Sequence, residues 1–451
     1  MMPSLLGSLS LVLTVMFLAY MALILIPYVR HRSERPGDPA LFDWHIFVPC
    51  RDEAAVIAET IARQRERFPD AHLWVIDDDS DDDTAAIIGA HVAADPFVHL
   101  VQRRRPLART GKGDALNSAY DALDRWLAHD ADRGRIIVTV VDADGEMAAN
   151  ALAAVAGDDC FGDPAVGAAQ ITVRMKNRDD PRPYPDRGWA ANAFARYLIR
   201  MQDLEFRTVI LAMQSLRSKT GTVGLGGNGQ FTRLSVLDHI GDEYGEPWHG
   251  ALLEDYELGL HVILAGYENR QVHDTHVAQE ALPSLRRLLA QRTRWSQGNI
   301  QCMKYVTDIL RSRHFDSSGV LECLYYLFLP VLQIIGLIVI VLTVVLQGAA
   351  IAADPAVLTR LVEHAWAFVA LGLLFGVGPF VIWGVLYRLR CEPRSTWLQA
   401  IGWGAGLFFF VQYILISVTR AMLRVALGRN GWAKTRRNAE AHVTGPVAVD
   451  A

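Results

Sequence analysis

Four long apolar segments constrain the fold of this chain more than any other feature of its sequence. They occupy residues 5–28, 321–346, 365–386 and 397–418. Each is long enough to cross the hydrocarbon core of a bilayer as a helix, because about 20 residues at 1.5 Å per residue cover its thickness. We therefore expect the polar stretch between the first two segments to fold as a separate domain beside a helical membrane module.

Charges that flank the first segment indicate its orientation. No basic residue precedes residues 5–28 and no small-residue cleavage site follows them, whereas Arg30, His31, Arg32 and Arg35 do follow. This pattern is typical of an uncleaved signal anchor, and the basic flank predicts that the next domain is cytoplasmic. We expect a multi-pass protein of the plasma membrane whose soluble domain faces the cytoplasm.

The same charge rule conflicts with a simple count of spans. A cytoplasmic domain followed by three spans would leave the basic C-terminal region outside the cell, although basic segments prefer the cytoplasm. Two explanations stay open: one of the last three segments does not fully cross, or residues 321–346 belong to more than a simple span. The basic residues concerned are Arg420, Arg424, Arg429, Lys434, Arg436 and Arg437.

Composition narrows the classes of protein further. Hydrophobic residues make up 51% of the chain and the mean hydropathy is +0.16, which fits a mixed soluble and membrane architecture. A formal net charge of −5 argues against nucleic acid as a partner. The five cysteines show no Cys-x-x-Cys spacing, so they predict neither a zinc site nor a disulfide framework and fit a reducing cytosol.

The soluble stretch alternates short apolar runs with helical stretches, which predicts βαβ units and a parallel sheet with helices on both faces. Ligands of such sheets lie beyond the carboxyl ends of the strands. Predicted strands occupy residues 45–49, 72–76, 98–101, 136–141 and 165–173, and predicted helices occupy 53–67, 82–92, 113–126, 190–214 and 253–265. The expected regions are a membrane anchor (1–36), a cytosolic domain (37–280), amphipathic interface helices (281–318), membrane helices (319–425) and a basic tail (426–451).

Acidic residues cluster where two predicted strands end. The run from Asp77 to Asp83 can accept hydrogen bonds from a nucleobase and a ribose, although helix capping would also use some of these carboxylates. Asp142 and Asp144 follow the strand over 136–141, and two carboxylates on one side of an extended chain can hold a divalent metal against a diphosphate. Such a triplet is weak alone, but its position predicts a nucleotide site with Mg²⁺ or Mn²⁺.

Two predicted helices begin with further candidate site residues. Glu254 and Asp255 either pair with the helix dipole or include a general base that takes a proton from an attacking hydroxyl. Lys112 follows a glycine at another helix start, where phosphate contact and a solvated basic loop are both compatible with the sequence.

Gln291, Arg294 and Trp295 lie on an amphipathic basic helix predicted over residues 282–303. The Trp ring offers a flat face to a sugar, and Arg and Gln offer donors to phosphate or hydroxyls. The alternative is an interfacial helix whose basic residues meet lipid headgroups.

The order of these motifs along the chain resembles that of membrane glycosyltransferases of family 2. This group includes cellulose, chitin, hyaluronan and poly-N-acetylglucosamine synthases. The resemblance implies an α/β GT-A (Rossmann-like) domain and inverting transfer from a nucleotide sugar, with a UDP-sugar expected. The residues that carry it run from Phe47 to Asn299 and comprise Asp52-Glu53, Asp77-Asp78-x-Ser80, Asp142-Ala-Asp144, Glu254-Asp255 and Gln291-x-x-Arg294-Trp295.

The resemblance also implies roles for single residues. Asp52, Glu53 and Asp78 would contact uridine. Asp142 would lie near the nucleotide and Asp144 would hold the metal. Asp255, beside Glu254, would be the base, and Gln291, Arg294 and Trp295 would close on the diphosphate and the acceptor.

Three departures from the family pattern argue against cellulose as the product. Asp52 stands where Asn is usual and Leu253 where Thr is usual. Residues 226–230, Gly-Gly-Asn-Gly-Gln, stand where cellulose synthases carry an acceptor-side Phe-Phe-Cys-Gly-Thr.

The leading hypothesis is a processive synthase that elongates a β-linked polysaccharide and passes it through its own membrane part, with accessory secretion subunits as further partners. Unpaired hydroxyls would cost roughly 2–7 kcal/mol each in hydrocarbon, so a polar and aromatic conduit is expected. One alternative is an enzyme that adds a single sugar to a membrane lipid, and another is a receptor or transporter with a degenerate cytosolic domain. Candidate conduit residues are Gln333, Trp383, Trp403, Gln412 and Tyr413.

Overall fold

All of the predicted strands belong to one eight-stranded sheet. The computed structural model describes residues 2–429, so Lys434, Arg436, Arg437 and the rest of the tail beyond Arg429 lie outside the described residues. The strands are β1 (Asp43–Cys50), β2 (His72–Asp78), β3 (Val98–Arg103), β4 (Ile136–Val140), β5 (Glu146–Met147), β6 (Val166–Met175), β7 (Gln230–Arg233) and β8 (Glu268–Gln279). Their order across the sheet is β3-β2-β1-β4-β7-β6-β8-β5.

The sheet is mixed, which corrects the parallel sheet predicted from the alternation of strands and helices. Strands β3, β2, β1 and β4 are parallel, but β7 is antiparallel to both β4 and β6, and β5 is antiparallel to β8. In β1, Ile46 and Val48 belong to the core on one face and Phe47 to the core on the other. Successive side chains point to opposite faces of the sheet, and both faces are buried. The central strands are therefore continuous apolar runs.

Strands β7 and β8 are absent from the predicted set because many of their buried residues are polar. Gln230 and Thr232 of β7 are each 1% exposed. In β8, the Asn269 side chain donates to the backbone carbonyls of Val223 at 2.8 Å and Gly259 at 2.9 Å. Such hydrogen bonds allow polar side chains to be buried, so a search for hydrophobic alternation does not find these strands.

Helices cover both faces of the sheet and extend beyond it. In the soluble part they are α2 (Ile57–Arg67), α3 (Thr84–Ala94), α4 (Lys112–Trp126), α5 (Ala151–Val155), α6 (Trp189–Leu204), α7 (Leu211–Thr220), α8 (Leu234–Tyr244), α9 (Glu254–Leu264), α10 (Leu285–Cys302) and α11 (Val306–Arg311). A π-helical stretch, Glu205–Ile210, joins α6 to α7, so the helix predicted over residues 190–214 changes its winding midway.

The apolar segments form long helices. They are α1 (Met2–Val29), α12 (Ser317–Ala353), α13 (Ala356–Glu363), α14 (Ala365–Leu371), α15 (Gly378–Arg390), α16 (Trp397–Phe410) and α17 (Tyr413–Ala426). Four stretches are long and apolar enough to span a bilayer, namely Leu5–Val29, Ser317–Ala353, Ala365–Arg390 and Trp397–Ala426. Along α12, Ile338, Ile340 and Val344 are 51–64% exposed, which suits a surface that contacts lipid.

The last apolar segment is two helices that both pack on the soluble domain. Helices α16 and α17 are separated only by a turn at Val411 and Gln412, and together they form the 30-residue stretch Trp397–Ala426. The Tyr197 hydroxyl of α6 donates to the Gly406 carbonyl of α16 at 2.8 Å. The Arg424 side chain of α17 donates to Gln297 of α10 at 2.7 Å.

A buried ion pair joins the soluble domain to the apolar helices. Arg217 of α7 donates to Glu322 of α12 at 2.8 Å, and both side chains are less than 8% exposed. Thr222 donates to the second oxygen of Glu322 at 3.0 Å. Because both charges are removed from water, loss of one partner would leave the other uncompensated.

We therefore expect Glu322→Ala to destabilise the protein by about 3–5 kcal/mol, because the Arg217 guanidinium would lose its buried partner. The matched control is Asp354→Ala, which removes the exposed pair that Asp354 forms with Arg360 at 3.3 Å and should cost less than about 1 kcal/mol. Apparent Tm in detergent measures both variants. Equal shifts for the two variants would contradict the assignment of a stabilising role to the buried pair.

Candidate active site

The carboxyl ends of β1, β2 and β4 open onto one cavity of about 390 Å³. This volume lies within the range of ordinary ligand pockets. The sheet, the starts of α4 and α9, and α10 all contribute to its wall. Of the predicted site residues, it is lined by Glu53, Asp78, Lys112, Asp142, Asp144, Glu254, Asp255, Gln291, Arg294 and Trp295.

Lys112 is the cation at the centre of the acidic part of the cavity. Its ammonium donates to Asp142 Oδ1 at 2.7 Å and to the carbonyl of Gly227. Burial opposes the charged form, yet Asp142, Glu254 and Asp255 together keep the pKa of Lys112 above its ordinary value. Lys112 therefore stays protonated and compensates carboxylates from β4 and α9 at once.

Asp142 and Asp144 form a carboxylate pair in a tight turn after β4. The Asn228 side chain accepts from the Asp142 backbone N–H at 3.2 Å, and Asp144 Oδ2 accepts from the Glu280 backbone N–H at 3.1 Å. Asp144 is 3% exposed and lines the cavity. Carboxylate oxygens are the donors that Mg²⁺ and Mn²⁺ prefer, so this pair fits a divalent metal.

Glu254 and Asp255 begin α9 and face the same cavity. Burial, with the neighbouring Asp255, raises the pKa of Glu254 to about 7. Burial also raises the pKa of Asp255, while Lys112 and Arg294 oppose this rise. Glu254 can therefore exchange a proton near neutral pH, as a general base requires.

Gly227 allows these charged groups to meet. A Cβ atom at this position would lie 2.9 Å from Lys112 Nζ and 3.2 Å from Asp255 Oδ2. The Gly224–Asn228 segment lines the cavity between them. The glycine-dense sequence at residues 226–230 thus reflects close approach of the backbone to a charged cluster.

Helix α10 supplies the opposite wall. Gln291, Arg294 and Trp295 all line the cavity, and Arg294 Nε is buried without a hydrogen-bond partner among the described residues. Arg292 supports this wall, since its guanidinium lies 4.2 Å from the Trp295 ring and pairs with Glu205. A donor that faces an enclosed cavity in this way is available to an anionic ligand.

The three residues predicted to contact uridine differ in their positions relative to the cavity. Asp78 pairs with Arg103 and accepts the Arg109 backbone N–H at 3.0 Å, so one of its oxygens is already engaged. Glu53 is 2% exposed and lines the cavity. Asp52 is not among the lining residues; it has a φ of 51° and accepts the Asp81 N–H at 2.8 Å, so it stabilises the loops after β1 and β2.

The second end of the cavity was not predicted. It is formed largely by apolar and aromatic side chains of the Glu205–Ile210 stretch, α7, α12 and the segment before α10. No local motif marks these residues, because in the sequence they belong to ordinary core and membrane patterns. They include Phe206, Ile210, Met213, Leu282 and Tyr326, with Arg217 beside them.

Comparison with protein families gives one match that covers more than half of the chain. The family model described as "Glycosyltransferase like family 2" matches residues 43–298. This range contains the whole acidic cavity wall and the Gln291–Trp295 motif.

Two curated proteins are similar over different shares of the chain. The β-monoglucosyldiacylglycerol synthase of Synechocystis is 25% identical over 404 residues, which cover 86% of this chain and 74% of that protein. The undecaprenyl-phosphate mannosyltransferase of Micrococcus luteus is 35% identical over 98 residues, 22% of this chain and 36% of that protein.

Among solved structures, the mannosyltransferase PcManGT from Pyrobaculum calidifontis, in complex with GDP-Man and Mn²⁺, matches with a TM-score of 0.57. The match covers 94% of this chain and 99% of that chain at 18% sequence identity. At this identity the likeness shows the fold, and it confirms the predicted α/β GT-A architecture with long apolar helices.

The raised pKa of Glu254 predicts how stability depends on pH. The folded protein holds this proton up to about pH 7, whereas an unfolded glutamate loses it near pH 4.3. The contribution of Glu254 to the free energy of unfolding should therefore fall as pH rises between these values. The substitution Glu254→Gln introduces a side chain that does not ionise, so apparent Tm should rise more, or fall less, between pH 5 and about pH 7 than it does in the wild type.

The control for this experiment is Glu257→Gln on the same helix. Burial opposes ionisation there, but hydrogen bonds from Lys304 and Tyr305 keep the pKa of Glu257 below its ordinary value. Glu257 is thus ionised throughout the interval, and its replacement should lower Tm without changing the slope. An unchanged slope in Glu254→Gln would contradict the assignment.

Proposed function

The chain belongs to glycosyltransferase family 2, and from that premise we propose that it moves a sugar from a nucleotide diphosphate sugar to a lipid acceptor at the membrane surface. The observation that carries the proposal is the composition of the cavity. Its charged end suits a nucleotide diphosphate, and its apolar end, between α7 and α12, suits the hydrophobic part of an acceptor.

The donor end provides one group for each part of the nucleotide sugar. Asp78 and Glu53, near the ends of β1 and β2, would contact the nucleoside, for which uridine is the first expectation. Asp142 and Asp144 would hold Mg²⁺ or Mn²⁺, which would neutralise charge on the departing diphosphate. Lys112 and the Arg294 Nε donor support the same task from opposite walls.

The acid pair supplies the base. Asp255, assisted by Glu254, would take the proton from the acceptor hydroxyl as that hydroxyl attacks the anomeric carbon, so one displacement inverts the configuration. The raised pKa values of both groups support this role, because a base works best when its pKa lies near the working pH. Trp295 would offer its ring to the sugar.

The expected conduit residues favour the lipid acceptor over polymer export. Trp383 is 1% exposed within an apolar cluster. The Tyr413 hydroxyl donates to Glu205 at 2.6 Å, and the Gln412 side chain donates to Phe408 of the preceding helix at 2.8 Å. Three of the five expected conduit residues thus have packing or hydrogen-bonding contacts within the protein, which supports the lipid acceptor.

Processive elongation of a β-linked polysaccharide is the second candidate. The observation in its favour is Trp295, because an aromatic ring in the cavity wall could also hold the terminal sugar of a growing chain. Product size and solubility in organic solvent distinguish the two candidates.

Membranes that contain the protein should transfer labelled sugar from one member of a panel of UDP- and GDP-sugars. Under the leading proposal, the product partitions into organic solvent with a single sugar attached. Asp255→Asn should lower the rate by about 10²–10⁴-fold, as expected for a lost general base, and Asp144→Asn should lower it through loss of metal.

The matched control is Asp121→Asn, which alters an exposed carboxylate on α4 and should leave transfer unchanged. All variants are compared at equal amounts of folded protein by size-exclusion chromatography. Wild-type turnover in Asp255→Asn would remove that residue from the proposed chemistry. A labelled product that is long and water-soluble would favour the processive candidate.

We also propose that the chain crosses the membrane three times and that α16 and α17 lie at its cytoplasmic surface. The Arg390 side chain, at the end of α15, donates to the Tyr28 carbonyl at the end of α1 at 2.7 Å, which supports a common side for these two ends. The Arg424–Gln297 bond holds α17 against α10. This arrangement would keep Arg420, Arg424 and Arg429 in the cytoplasm and remove the conflict in charge.

Cysteine labelling tests this arrangement in a background in which the native cysteines are replaced. An impermeant maleimide added to intact cells should label Glu363→Cys, at the end of α13. It should not label Arg394→Cys, between α15 and α16, or Leu427→Cys, after α17, unless the membrane is opened. All three positions are exposed. Labelling of Leu427→Cys in intact cells would instead mean that the last segment crosses.

A further inference from the structure

A buried arginine lies at the apolar end of the cavity. Arg217 of α7 lines the cavity together with Met213 and Tyr326, and its side chain is 7% exposed. Its Nε donates to Glu322, but its Nη2 is buried without a hydrogen-bond partner in the described part of the chain. A buried donor without a partner is costly, so this atom is suited to bind an oxygen of a ligand.

Arg217 lies close to the acid pair that begins α9. A Cβ atom at Gly224 would lie 3.1 Å from Tyr256 Cδ2 and 3.3 Å from Arg217 Nη1, so Gly224 lies between this ring and the guanidinium. Tyr256 directly follows Asp255 in α9, and all four residues line the cavity. A ligand that extends from Asp255 past Tyr256 toward α12 therefore passes Arg217.

The charge of Arg217 is already balanced. One carboxylate oxygen of Glu322 accepts from Arg217 Nε, and the other accepts the Thr222 hydroxyl at 3.0 Å. The guanidinium carbon also lies 4.1 Å from the centre of the Tyr326 ring. Because the buried pair is neutral as a whole, Arg217 offers a hydrogen bond without the excess positive charge that a buried phosphate would need.

The acid pair favours an acceptor without charge for two reasons. A hydroxyl must lose its proton as it attacks and so needs a base, whereas a phosphate monoester is already ionised near neutral pH. An ionised phosphate beside Glu254 and Asp255 would also meet like charges in an enclosed place. Lys112 and Arg294 line the cavity with the pair, but they belong to the end proposed for the nucleotide diphosphate.

On the basis of the proposed transfer to a lipid, we propose that the acceptor is an uncharged lipid alcohol with a second oxygen close to its hydroxyl, and that Arg217 Nη2 binds that second oxygen. An ester of glycerol with one free hydroxyl has this chemistry, since an ester oxygen lies on the neighbouring carbon. Arg217 would thus position the acceptor and determine the specificity for its headgroup.

Arg217 takes no part in the bond changes of the transfer. The hydroxyl oxygen of the acceptor forms a bond to the anomeric carbon, and the hydroxyl proton passes to Asp255. The bond between the anomeric carbon and the diphosphate oxygen breaks, and the nucleoside diphosphate leaves with that electron pair.

Four lipids separate the features of the proposed acceptor. Dioleoylglycerol has a free hydroxyl with ester oxygens beside it, and oleyl alcohol has the hydroxyl alone. With the purified full chain in detergent and the donor that the membranes use, kcat/KM should be roughly tenfold higher for dioleoylglycerol, about what one hydrogen bond to a charged group contributes. Dioleoyl phosphatidate and a polyprenyl phosphate, which offer a phosphate as the nucleophile, should accept no measurable sugar.

Replacing both members of the buried pair tests the role of Arg217 without leaving one charge buried alone. Arg217→Met combined with Glu322→Met removes the donor and its counter-charge together, which is often close to neutral for stability. The double variant should lose most of the preference for dioleoylglycerol over oleyl alcohol, while the KM for the nucleotide sugar changes little. A purely structural role would lower transfer to both alcohols alike and leave their ratio unchanged.

The matched control is Lys219→Met on the same helix. It removes an exposed cation that does not line the cavity, so the preference between the two alcohols should stay as in the wild type. All variants are compared at equal amounts of folded protein, and the wild-type comparison of the four lipids decides the charge of the acceptor whatever the stability of the double variant.

The inference is overturned if a phosphate lipid is used as well as dioleoylglycerol, or if the double variant keeps the full preference between the two alcohols. Either result would leave the proposed transfer to a lipid in place. A long, water-soluble product with no labelled lipid would overturn the proposed function and this inference with it.

Discussion

The charge balance around Lys112 is the interaction on which the site depends. Asp142 from the end of β4 and the Glu254–Asp255 pair from the start of α9 would repel one another in an enclosed cavity. One ammonium lies among them, and Gly227 leaves room for it because any side chain there would lie within 3 Å of Lys112 Nζ. The lysine thus compensates these carboxylates and limits the rise in proton affinity that burial gives the acid pair.

A second set of buried charges fixes this site relative to the long apolar helices. The Arg217–Glu322 pair joins α7 to α12, and Glu205 receives both Arg292 of α10 and Tyr413 of α17. Buried pairs of this kind contribute little net stability compared with apolar packing, but breaking one is costly. Their effect is therefore to select one arrangement of the soluble domain against the apolar helices, so that the acidic wall and the apolar end share a single cavity.

The sequence predicted the acidic wall well because strand ends and charge are both local signals. Apolar runs located β1, β2 and β4, and the acids that follow them lie where parallel strands deliver them. The partners of those acids were not predictable, since Arg103 and Glu280 reach Asp78 and Asp144 from distant parts of the chain. Three other features depend on tertiary contacts, which produce no hydrophobic periodicity in the sequence. They are the polar strands β7 and β8, the break between α16 and α17, and the apolar end of the cavity.

The position of the acid pair favours an acceptor that enters from the membrane. Glu254 and Asp255 lie at the start of α9, and the neighbouring Tyr256 packs against Tyr326 of α12 with ring centroids 4.9 Å apart. A hydroxyl that arrives along α12 would therefore approach the acid pair, the proposed base, from the side of Tyr326. Its hydrophobic part could remain beside Ile210 and Met213, out of water. A soluble acceptor would gain nothing from that apolar wall, which is why the proposed lipid acceptor accounts for both ends of the cavity together.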